Sequence, residues 1–169
     1  MKKHVISILL GITITACIPV SFAPDFNKKG YKVKEAQRFK RKLPEQQAFI
    51  FEDTKEADAF YDFINTKFEL NDLDVDFEVP FRIEGQLYYL SFYEVEKSTT
   101  AIDLFNITDE LVHEVGTWYI VITVIDNDSK DGLKASHPKH QLILQYLKDL
   151  RQEYLDVKEK EVPSKIKKS

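Results

Sequence analysis

Thr117-Trp118-Tyr119-Ile120-Val121-Ile122-Thr123-Val124-Ile125 is the most strongly strand-forming stretch of the chain. β-Branched and aromatic side chains fill it almost without a break, so it belongs in the middle of a sheet with both faces at least partly covered. Beyond it, residues 126–136 form a polar loop, and Ser136 and Pro138 open a helix. In that helix Ile143, Leu147, Leu150 and Tyr154 share one face, and a charged tail begins at Lys158.

Working back from the central strand, Gly116 stops a short helix that starts with the acid-rich Thr108-Asp109-Glu110. Residues 100–107 read as a further strand after a turn at 97–100. Residues 87–95 are apolar on both faces, which marks an inner strand, and Glu84-Gly85-Gln86 joins them to a partner as a hairpin. That partner, 74–84, alternates: Phe77, Val79, Phe81 and Ile83 point one way, Asp76, Glu78, Arg82 and Glu84 the other. Pro80 has no amide hydrogen and places this strand at an edge or at a bulge. Asp53-Thr54-Lys55-Glu56 has the spacing of a capping box, and Ala57, Phe60, Ile64 and Phe68 recur at helical intervals after it. A short strand, 48–52, precedes it. The order β-α-β-β-β-(short α)-β-α predicts an α+β fold: a largely antiparallel sheet of about five strands with two main helices packed on one face.

The beginning of the chain has a different character. Lys2 and Lys3 precede an uncharged apolar run, residues 5–14, and small residues follow, which is the pattern of a secretory signal. Ile14-Thr15-Ala16-Cys17 resembles the lipobox of bacterial prolipoproteins, and the one cysteine of the chain stands where that motif requires it. The resemblance implies cleavage after residue 16, a diacylglyceryl group on Cys17, and a membrane partner reached through that lipid. Ile18 stands where the inner-membrane retention residue of Gram-negative lipoproteins is Asp. The resemblance therefore implies an outer membrane facing the periplasm in a Gram-negative cell, or the outer face of the cell membrane in a Gram-positive one. Two alternatives compete. An uncleaved anchor helix would extend to Ala23 but meet Pro19 near its end, and ordinary cleavage after Ala23 would place Pro24 beyond the scissile bond.

The domain organisation expected is a signal peptide (1–16), a lipid-anchored tether with a basic stretch (17–44), one α+β domain (45–158) and a charged tail (159–169). The basic stretch, 28–42, holds eight lysines and arginines against the single Glu35 and reads as a collar near an anionic membrane, or simply as a solvated tether. The net charge is −4 and becomes −6 once Lys2 and Lys3 leave, which argues against nucleic acid as a partner. With one cysteine there is no internal disulfide, and a core must hold the domain.

No constellation of catalytic residues stands out: there is no glycine-flanked serine, no phosphate loop and no available thiol. Residues 126–132, Asp-Asn-Asp-Ser-Lys-Asp-Gly, have the oxygen density of a calcium loop in the wrong register. Counting from Asn127 puts Pro138 where the bidentate Glu belongs, and counting from Asp126 puts Lys130 at a ligand position. No metal and no cofactor are therefore expected. If a partner touches the domain, the expected contact is Asp126, Asp128, Asp131, His137 and His140, with the wet face carrying Asp76, Glu78 and Arg82, because loops at the ends of central strands are held rigidly. The two histidines would make such a contact sensitive to pH near about 6.5. The function expected is a lipid-anchored extracytoplasmic binding or envelope-interaction protein without catalysis. The alternatives are an inhibitor or immunity-type lipoprotein that captures one protein, and an enzyme whose site is assembled from distant residues.

Overall fold

The computed structural model describes the backbone of residues 30–102 and 112–157, and the side chains of 30–97 and 116–157. Five strands, β1 (Lys32–Glu35), β2 (Gln47–Asp53), β3 (Val79–Ile83), β4 (Gln86–Ile102) and β5 (Val112–Asp126), form one antiparallel sheet in the order β1-β2-β5-β4-β3. Among the described residues there are three helices, α1 (Ala36–Phe39), α2 (Ala59–Phe68) and α3 (His140–Asp156). None is long and apolar enough to cross a membrane. The fold is α+β, as the pattern of elements predicts.

The central strand lies where its composition places it, flanked by β2 from Ala48↔Thr123 to Asp53↔Trp118 and by β4 along its whole length. Successive side chains of a strand point to opposite faces, and both faces of β5 are used. Ile120, Ile122 and Val124 pack with Phe60 and Ile64 of α2 and with Ile143, Leu147, Leu150 and Tyr154 of α3. Tyr119 and Val121 pack on the other side with Ala36, Phe39 and Leu43.

That second layer corrects the expected domain boundary. Residues 30–44, read as tether, belong to the fold: Val33 pairs with Phe49, and Ala36, Phe39 and Leu43 are buried. The apolar second face of β2 and β5 needs a cover, and this segment is the cover. Residues 97–100 are not a turn, for β4 runs on through them, and residues 112–115, read as the end of a short helix, are strand paired with β4. The remainder of that helix and of the strand read at 100–107 lies outside the described residues. Gly116 does not stop a helix; it leaves room for the Glu96 carboxylate, which a Cβ at 116 would strike.

The capping box does not form either. Asp53 ends β2, and α2 starts six residues later, after Asp58 in a left-handed conformation with φ 65°. The Asp53 carboxylate is taken instead by the Lys55 amide (3.1 Å) and by the Tyr154 hydroxyl (2.8 Å), which ties β2 to α3. At the opposite edge Pro80 stands on β3, where its missing donor costs no ladder bond between inner strands. That strand begins only at Val79, because Glu78 has φ 50° and donates its amide to Ser91 Oγ (3.0 Å). Phe77, expected inside, is 57% exposed. The hairpin at Glu84-Gly85, both with positive φ, is the tight turn expected between β3 and β4.

Candidate functional site

The loop after β5 is held by its own acids. Asp126 Oδ1 accepts the amides of Asp128 and Lys130, both at 2.9 Å, and its Oδ2 lies 3.2 Å from His137 Nε2. Partial burial pushes the Asp126 carboxyl up, but the Lys130 amide, the His137 ring, the Asp128 amide and the Lys130 charge outweigh it and hold the group below its usual range. His137 Nδ1 accepts the Lys139 amide (3.2 Å), so in the neutral ring Nε2–H is the donor to Asp126. Asp131 spans two elements: Oδ1 accepts the Leu133 amide (2.9 Å) and Oδ2 the Gln47 amide at the start of β2 (2.8 Å). These are Asx-type turns, in which aspartate replaces backbone partners.

Of the five residues expected at a contact, the fold brings Asp126 and His137 together and turns Asp131 inward. Asp128 lies in solvent, paired with Lys130, and His140 begins α3 with a buried Nδ1 that has no partner. Asp76 and Glu78 precede β3, and Arg82 donates to the Gly85 carbonyl (2.9 Å). Among the described residues no three acids, histidines or cysteines gather as a metal would need.

Two other surfaces carry unsatisfied charge. On the α1 side, two lysines from separate strands converge on one ring, Lys97 Nζ of β4 at 4.1 Å from the Phe39 centroid and Lys34 Nζ of β1 at 5.5 Å, and Lys40, which caps the end of α1, is near enough to repel Lys97. Burial lowers the Lys97 pKa, and the charges of Lys34 and Lys40 lower it further. Arg38 is paired with Glu35 (2.7 Å), whereas no carboxylate among the described residues pairs with Lys34, Lys40 or Lys97. The sequence marks the basic run at 28–42; it does not show that Lys97, from the middle of the chain, joins it.

On the opposite face, past the end of the helices, stands Trp118, in register with Asp53 on one side and Glu96 on the other and 45% exposed. Beside it is a niche of about 10 Å3 lined by Asp53, Lys55, Glu56 and Glu94, room for about one water and too small for an organic substrate. Glu94 Oε1 is buried there with no hydrogen-bond partner, and burial, then Asp58 and Asp53, push its carboxyl up. The cation of the niche is turned away: Lys55 Nζ donates to the carbonyls of Tyr154 (2.5 Å) and Val157 (2.6 Å), capping the negative end of α3. Nothing in the spacing of the sequence brings these acids together around Trp118. No protein family, curated protein or solved structure matches the chain.

Proposed function

We propose that this protein is a lipid-anchored, extracytoplasmic, non-catalytic envelope-interaction protein, held by a diacylglyceryl group on Cys17 and lying with its α1 face against an anionic bilayer surface. The observation that carries this reading is the placing of Lys34 and Lys97 over the Phe39 ring, with Lys40 near enough to repel Lys97 and no carboxylate partner for any of the three among the described residues. Crowding like charges raises the free energy of the free protein, and an anionic surface lowers it again, each charge near the headgroups contributing about 1 kcal/mol. The span from Cys17 to Gly30 reaches at most about 45 Å, and it enters the fold at β1, beside these lysines. The anchor thus holds the basic face at the membrane, and two weak attachments act together.

The test uses the full chain in two steps. Replacing Cys17→Ser is expected to abolish lipid labelling and leave unprocessed precursor; unchanged processing and attachment would overturn the anchor. The lipidated protein is then placed in vesicles with and without anionic phospholipid, and amine labelling of Lys34, Lys40 and Lys97 is followed. A several-fold slower labelling in the anionic vesicles alone is expected, and equal rates in both would overturn the docked face.

A further inference from the structure

We propose that the Trp118 face is a docking surface for the chain's own C-terminal segment, residues 158–169. Three observations lead there. The first is the surface itself: a half-exposed tryptophan in the sheet, flanked by Asp53 and Glu96, with Glu94 unpartnered beside it and Glu56 and Asp58 close by. An indole beside carboxylates suits an ammonium group, which gains from the ring face and from the charge together.

The second is where the described chain ends. Lys55, which lines the niche beside Trp118, donates to the carbonyl of Val157, so residue 158 starts next to this face. Twelve residues extend up to about 40 Å, far more than the one lysine side chain that separates Val157 from the niche. The third is charge complementarity. Residues 158–169 carry five lysines against two glutamates, in a chain whose net charge is −4, and they interleave Val162 and Ile166 that can lie on the indole. The cation already at the niche, Lys55, is committed to the end of α3 and leaves the Glu94 carboxylate without a counter-charge among the described residues. This inference does not depend on the lipid anchor.

Trp118 is the one tryptophan of the chain, so its fluorescence reports on this face alone. In the full chain at low salt we expect a blue-shifted emission and weak quenching by acrylamide. Ending the chain after Val157, or changing the five tail lysines to Gln in the full-length protein, is expected to shift the emission to the red and raise quenching at least two-fold, and high salt to do the same to the unaltered chain. The Lys-to-Gln protein keeps every residue of the fold, so it decides the matter even if the shortened chain is unstable. Identical emission and quenching in the full and Lys-to-Gln chains would overturn the proposal. So would protection that disappears on dilution, since the occupant would then be the tail of a second copy.

Discussion

Glu94 and Asp126 are both partly buried carboxylates, yet their effects on stability have opposite signs. Asp126 is bonded to two amides and a histidine, and its pKa is held down. Its contribution is present above the carboxyl's ordinary pKa, about 3.9, and is lost as pH falls through the depressed value. Glu94 is raised, so the ionised group costs stability at neutral pH, and the cost is relieved as pH falls into the window between its folded and ordinary values. In the chain whose five tail lysines are Gln, so that Glu94 keeps only the surroundings of the fold, Glu94→Gln is therefore expected to raise the melting temperature at pH 7, with the gain over that parent shrinking as pH is lowered through the window. A lower melting temperature at pH 7 would show that the carboxylate has a partner after all. Asp131→Ala should act the other way, because the amides of Gln47 and Leu133 lose their acceptor; a loss of about 1–3 kcal/mol is expected in urea denaturation. Oxygen density in 126–132 is legible in the sequence, but whether those oxygens face a ligand or their own backbone depends on φ and ψ, which composition does not encode.

At the scale of elements, the strands with the clearest pattern are found where expected, and the misreadings share one cause. The β-branched run of β5, the hairpin at Gly85 and the Ile143–Tyr154 stripe of α3 are each decided by local chemistry. The start of α2 departs from the capping-box spacing because Tyr154, 101 residues away, and the Lys55 amide take the carboxylate that the box requires. Likewise β1 and α1 look like tether in the sequence because a run of lysines and arginines masks three well-spaced apolar residues, Ala36, Phe39 and Leu43. Only the second face of β5 reveals their use. Phe39 is 4% exposed and meets Tyr119 edge to face at 5.4 Å. Phe39→Ala is expected to cost about 3–5 kcal/mol by loss of transfer energy and creation of a cavity, measured by urea denaturation. A change within about 0.5 kcal/mol, normal for a solvated linker, would return residues 30–44 to the tether.

At the scale of the whole sheet, the groups without an oppositely charged partner among the described residues differ in sign from one face to the other: Lys34, Lys40 and Lys97 on the α1 side, Glu94 beside Trp118 on the other. Stability alone does not account for this, since each cluster repels itself and Lys97 shows the consequence. Its pKa is lowered by burial and by Lys34 and Lys40, so the folded state resists the charged form. The sign for a base follows from proton binding: below the folded pKa the full cost is present, and it is relieved as pH rises from there towards lysine's ordinary value near about 10.4. Lys97→Met keeps the aliphatic contact with Phe39 and removes the charge. The variant is expected to melt higher than the parent at pH 7, to lose that advantage as pH is raised towards 10, and to label equally at Lys34 in anionic and neutral vesicles. A function that requires crowded cations predicts this pairing of greater stability with weaker docking. A structural lysine predicts the reverse: lower melting temperature, and Lys34 labelling in anionic vesicles still slowed as in the parent.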